Sequence, residues 1–296
     1  MLYGLIQVLT AYLLWGLFPL YFNELLSVPA LEILSHRIVW SVLFALIILL
    51  GTIGLGWLRD VCAKPKTLLY FAVSSLLIAV NWGTYIWAAT HNMIVDASLG
   101  YFINPLITVL LGALILKERL RPLQWLCISV ALVAVAYLTY CRGHLPLISL
   151  VLACSFGLYG LVRKTAPLGS LQGFTLESLF LTPLALLYIG YLGYTQELVF
   201  LNTSTQINAL LIAAGPITAI PLLLFAAGAR KIPYSVLGIA QYSSPSVQFL
   251  LGVFFFHEPF NTDQMITFGL IWLSVALFTA ESIHWYHQLK SKKSST

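Results

Sequence analysis

Ten stretches of roughly twenty mostly apolar residues follow one another along the chain, separated by short polar breaks. A bilayer core about 30 Å thick takes about 20 apolar residues to cross as a helix, so the pattern predicts an all-α membrane protein with ten transmembrane helices. The expected spans are 4–22, 31–51, 67–89, 97–116, 121–140, 145–162, 172–193, 206–228, 234–256 and 263–285. Composition agrees: 8% of the 296 residues are charged and 60% are hydrophobic, against roughly 25% charged in an average soluble domain. Loops and tails share fewer than one hundred residues, too few for a separate soluble domain, so function is expected within the helices. The opening MLYGLIQVLTAYLLWGLFPLYF has neither a basic leader nor a small-residue cleavage site and reads as a first span.

The net charge of +5 does not point to nucleic acid, because the basic residues sit in short clusters between spans. One side of the expected membrane receives Arg59, Lys64, Lys66, Lys117, Arg119, Arg121, Arg163, Lys164, Arg230, Lys231, Lys290, Lys292 and Lys293; the other receives Arg142. Cytoplasmic loops accumulate Lys and Arg, which places both termini in the cytoplasm and supports an even number of spans. Cys62, Cys127, Cys141 and Cys154 show no C-x-x-C pair or His at ligand spacing and read as buried thiols. The six histidines fall mostly in loops or tails, where a solvated imidazole is the default. No metal site or cofactor is expected, and no Walker-type segment is present to support ATP-driven pumping.

Sliding the chain against itself by 140 positions reveals an internal repeat. The segment beginning at Asn104 matches the one beginning at Ser244, pairing Pro105 with Pro245, Gly112 with Gly252, Glu118 with Glu258 and Gln124 with Gln264. The expected organisation is a first five-helix repeat over 1–141, a second over 142–286 and a basic cytoplasmic tail over 287–296. Five is odd, so the second copy enters the membrane inverted. Inverted repeats characterise secondary transporters that bind near the midplane and rock between two exposures, although channels and static bundles built by duplication share the pattern.

Ionisable groups within spans are costly and therefore functional candidates. Arg37 lies about 9 Å along its helix from one end and Glu177 similarly deep from the opposite side, and the 140-residue offset maps one onto the other. Arg37 could instead snorkel to the headgroups. Glu177 is too short for that, so it is expected to be paired or protonated, which makes it the candidate for coupling to a proton. Asn81 and Tyr85 share one helix face beside Trp82, and Tyr101 and Asn104 share another. Pro105 and Pro245 would free the carbonyls of Tyr101 and Gln241, marking broken helices, and Gln241, Tyr242 and Ser244 form the corresponding patch. These residues are candidates for contact with a small solute; amide glue between helices and an aromatic interfacial belt are the alternatives. Glu118 and Glu258, at helix ends, are weaker candidates for gating.

Over nearly its whole length the sequence resembles the RarD family, or chloramphenicol-sensitive proteins, within the EamA branch of the drug/metabolite transporter superfamily. The resemblance rests on AYLLWGLFPLYF, EILSHRIVWS, NWGTYIWAATHN, ASLGYFINPL, KERLRPLQW, YGLVRK, PLLLFAAGARKIP, LGIAQYSSPSVQFLLGV and TFGLIWLSVALF. It implies a bacterial inner-membrane permease of two five-helix halves around a central cavity, with no enzymatic activity and no particular substrate. The expected solute is small and amphipathic, such as a zwitterionic metabolite, moved by a gradient; a membrane-embedded enzyme or a non-transporting assembly partner is the alternative.

Overall fold

A computed structural model describes residues 2–115, 117, 120–165, 167–229, 231 and 240–294. Glu118, Arg119, Arg230 and positions 234–239 of the ninth expected span lie outside the described residues. The described elements are helices in the order α1 (Leu2–Gly16), α2 (Phe18–Asn23), α3 (Ala30–Thr52), α4 (Gly56–Cys62), α5 (Pro65–Thr90), α6 (Ile94–Ile115), α7 (Pro122–Arg142), α8 (Leu147–Thr165), α9 (Ser170–Thr195), α10 (Thr205–Ala229), α11 (Ser243–Leu250) and α12 (Thr262–Ser294). A π-helical turn, Leu251–Phe255, continues α11. Among the described residues, six segments are long and apolar enough to cross a membrane: Leu2–Asn23, Ala30–Thr52, Pro65–Thr90, Pro122–Cys141, Leu171–Thr195 and Thr205–Phe225. Shorter apolar helical stretches cover Ile94–Ile107, Leu147–Arg163, Ser243–Phe255 and Thr262–Phe278.

Prolines and glutamines set several helix ends. Pro65 and Pro122 open α5 and α7, where the missing N–H had no partner to lose. Gln124 and Gln264 each fold back one turn, their Oε1 atoms accepting from the backbone N–H of Arg121 at 3.0 Å and of Asn261 at 2.9 Å. The first span breaks between α1 and α2 beside Pro19. Proline there deprives the Trp15 carbonyl of its helical donor, and Gln248 of α11 supplies the replacement, its Nε2 donating to Trp15 O at 3.2 Å. The helix break expected at Pro105 does not occur: α6 runs unbroken through that residue. At the corresponding place in the later segment a turn at Tyr242 precedes α11. The short α4 fills a connection expected to be a loop, and α12 continues as far as Ser294.

Packing is inside out relative to a water-soluble protein. Leu50, Ile47, Leu76, Leu184, Leu187 and Phe254 face outward, while Ser41, Ser74, Asn81, Asn104 and Thr218 are buried. In lipid there is no hydrophobic drive between helices, so close packing and hydrogen bonds hold them together. The main helix pairs are α6 with α8, α3 with α9 and with α10, α1 with α10, α7 with α12, and α5 with α8. Small residues permit the closest of them. A Cβ on Gly100 of α6 would lie 2.7 Å from the Ser149 carbonyl oxygen of α8, and one on Gly215 of α10 would strike the Trp40 carbonyl of α3. Of the four cysteines, Cys127 alone is buried; Cys62, Cys141 and Cys154 are exposed, because their helix faces point outward.

Candidate functional site

Arg37 projects from α3 into the bundle and is 4% exposed, so it does not snorkel. Its Nε donates to Thr218 Oγ1 of α10 at 2.8 Å. The guanidinium carbon lies 4.3 Å from the centroid of the Trp82 ring and 5.4 Å from that of Phe18. The phenols of Tyr101, Tyr21 and Tyr85 surround it within electrostatic range. Among the described residues no carboxylate lies within ion-pair distance of Arg37. Two aromatic faces contribute about 0.5–2 kcal/mol each to holding the charge, against roughly 2.5–3.5 kcal/mol for placing an arginine at a helix centre in lipid.

The phenols differ in how far they are committed. Tyr21 donates to the Leu210 carbonyl at 2.9 Å and Tyr101 donates to Asn81 Oδ1 at 3.3 Å. The Tyr85 hydroxyl is buried with no hydrogen-bond partner among the described residues. Asn81 is saturated, since its Nδ2 donates to Leu152 O and to Ser155 Oγ, both at 3.1 Å. One turn along α6, Asn104 Nδ2 donates to Ala153 O at 3.0 Å, and Gln241 Nε2 donates to Asn104 Oδ1 at 3.3 Å. Both asparagines therefore tie α8 to its neighbours. Tyr242 stacks on Phe102 with centroids 6.2 Å apart, and its buried hydroxyl has no hydrogen-bond partner among the described residues.

Glu177 forms a second polar cluster. Ser74 Oγ of α5 donates to its Oε1 at 2.6 Å, Tyr159 of α8 donates to Oε2 at 3.2 Å, and Arg163 Nη1 stands 3.6 Å from Oε1. Arg163 reaches inward over the Phe71 ring, 5.3 Å from its centroid, through space left by Gly173, where any Cβ would overlap the guanidinium. An aromatic series links the clusters: Tyr85 to Tyr101 at 5.7 Å, Tyr101 to Phe156 at 6.4 Å and Phe156 to Tyr159 at 5.8 Å.

Two further carboxylates hold backbone. Glu32 accepts from the N–H of Val199 at 3.0 Å and of Phe200 at 2.9 Å. Glu258 accepts from the N–H of Ile94 at 2.7 Å and of Val95 at 2.8 Å, clamping the first turn of α6. Burial pushes the Glu258 carboxyl above its ordinary range, opposed by the two N–H groups. His36 departs from the expected solvated state. It is buried, its ring 4.5 Å from that of Phe200, its Nδ1 accepting from Trp40 Nε1 at 3.3 Å and its Nε2 3.9 Å from Glu32.

Comparison with known proteins decides the family. Residues 2–140 match the EamA-like transporter family. The uncharacterized transporter PA0485 of Pseudomonas aeruginosa is 45% identical over 94% of this chain and 94% of its own, and the uncharacterized transporter YojE of Bacillus subtilis 43% identical over 97% of each. Protein RarD of Escherichia coli is 39% identical over 98% of this chain and 97% of its own. The chain belongs to the RarD family of EamA-like transporters. One solved crystal structure, 20% identical, covers 94% of this chain and 96% of its own with a TM-score of 0.59, a likeness of fold.

This RarD-family chain is thus a multi-pass membrane transporter, with its polar side chains gathered in the bundle. Of the residues singled out in the sequence, Arg37, Trp82, Tyr85, Tyr101 and Asn81 come together; Asn104 and Gln241 join at their edge; Glu177 and Tyr242 stand in other clusters. Thr218, Tyr21, Phe18, Ser74, Tyr159 and Arg163 complete these clusters without having been singled out. Gly173, one helical turn before Glu177, was a legible hint of Arg163, since a glycine on the face of a buried acid leaves room for a long partner.

Proposed function

We propose that the chain is a secondary carrier of a small amphipathic solute, working by alternating access between two inverted five-helix halves over 1–141 and 142–286, in a bacterial inner membrane with both termini cytoplasmic. The span count of ten follows from joining α1 with α2 and α11 with its π turn and leaving α4 outside. One observation carries the reading. α3, α5 and α7 begin at Ala30, Pro65 and Pro122, and α9, α10 and α12 begin at Ser170, Thr205 and Thr262, each 140 positions later.

Exchanging the two sets preserves the packing: α1 on α10 corresponds to α8 on α5, α3 on α10 to α9 on α5, and α1 on α11 to α8 on α6, while α3–α9 and α7–α12 map onto themselves. Two halves that grip each other through equivalent surfaces can exchange conformations, which is the physical basis of alternating access. Arg37 then approaches the midplane from the outer side and Glu177 from the inner side. Arg37, Trp82, Tyr85 and Tyr101 face the solute, Asn81 and Asn104 position Tyr101 and Gln241, and Tyr242 lines the path in the second half. Glu32 and Glu258 close the outer face. Proton coupling resides at Glu177, where protonation would release Arg163.

Cysteine-accessibility labelling from each side of the membrane tests the topology, and labelling of the two termini on opposite faces would refute it. Proteoliposome flux tests the carrier. Glu177→Gln is expected to remove the pH dependence of flux, and retained pH dependence would exclude this carboxylate as the coupling group.

A further inference from the structure

We infer that the transported solute carries a carboxylate, and that Arg37 is its receptor in the protein. The inference rests on the carrier reading above and deepens it to a substrate class. A guanidinium has five N–H donors arranged to meet a planar two-oxygen anion. In this chain Nε alone has a hydrogen-bond partner among the described residues, and that partner is the neutral hydroxyl of Thr218. Nη1 and Nη2 are not among the sealed, unpartnered atoms, and Arg37 keeps 4% of its surface exposed.

The contrast with the other deep charge is instructive. Glu177 is matched by Arg163 and by two hydroxyl donors, so its charge is answered within the protein. Arg37 is answered by aromatic faces and phenols, which hold a cation in place without neutralising it. An incoming carboxylate can accept from the Arg37 fork and so answer the charge that the rings leave unneutralised.

The walls favour an apolar body on that acid. The rings of Phe18 and Trp82, 5.4 Å and 4.3 Å from the Arg37 guanidinium carbon, supply apolar surface to a solute bound there. The solute class is therefore a small carboxylate with an apolar or aromatic portion, in preference to a polyanion or a neutral compound.

The test uses the full-length protein in proteoliposomes preloaded with the soluble metabolite extract of the expressing cells, with mass spectrometry of the solutes released. Solutes whose release requires the protein are expected to share a carboxylate. Arg37→Gln should lower their flux by about 30-fold or more, the effect of removing one partner of a buried charge pair, and Arg37→Lys, which keeps the charge but loses the fork, should fall between. Protein-dependent release of a neutral or purely cationic solute overturns the inference while leaving the carrier reading intact. Absence of any protein-dependent release overturns the carrier reading itself. The class of solute released by the unaltered protein decides the question even if an Arg37 variant fails to fold.

Discussion

Arg163 and Glu177 show why a single side chain can govern a buried cluster. Replacing Arg163 with Met would strand a carboxylate that is 2% exposed, lowering stability by about 3–5 kcal/mol. Glu177→Gln should be milder, because its amide oxygen can still accept from Ser74, and the double variant should recover part of the Arg163→Met loss. Thermal unfolding in detergent checks all three; equal melting of Arg163→Met and the unaltered protein would show that the pair contributes nothing. Glu258 makes a pH prediction. Its carboxyl is raised by burial, so its proton is held more tightly in the folded chain than in the unfolded one. The stability linked to that proton is full below the ordinary carboxylate range and is lost as pH rises through the raised value. Glu258→Gln, which cannot ionise, should flatten that slope in a melting series. Arg37 and Glu177 were legible because a charge in an apolar run has few innocent explanations. Arg163 was not, because a basic residue at a span's end looks like a topology signal until its partner is known.

Helix contacts depend on single atoms at a few crossings. Gly215 lets α10 lie against the Trp40 backbone of α3, three residues before Thr218 meets Arg37. Gly215→Ala should force the helices apart, costing about 1–3 kcal/mol, and should depress flux by moving Thr218. Gly190→Ala, in a helix interior with open space around it, is the control and should be neutral or slightly stabilising. Equal flux and melting for the two variants would refute the close-contact account. The spans themselves were readable from apolar length, as the ends of α3, α5 and α10 show against 31–51, 67–89 and 206–228. The interruptions were less so. Pro19 breaks its helix where a distant glutamine can take the orphaned carbonyl, whereas Pro105 sits in a continuous helix, and local sequence does not distinguish the two.

At the scale of the whole molecule, Glu32 and Glu258 each join segments more than 160 positions apart. If the halves rock, both clamps must open in one state. The Glu32→Gln/Glu258→Gln variant should therefore raise the rate at which an impermeant maleimide reaches a cysteine placed at Thr218 from the face of those clamps. An unchanged rate would mean that they do not gate the path. The proposed repeat that suggests this motion is read from the sequence match of Pro105, Gly112 and Gln124 with Pro245, Gly252 and Gln264, and Gln124 and Gln264 both fold back on the N–H three residues before them at a helix start, a place that tolerates few residue types.

Because both clamps grasp main-chain amides, they are indifferent to the identity of what they hold. Apolar residues of similar bulk at Ile94, Val95, Val199 and Phe200 should be interchangeable without loosening the grip. Proline is the exception, having no amide hydrogen to offer. Val95→Pro sits in the opening turn of a helix, where that residue is ordinarily welcome, and here it would be refused.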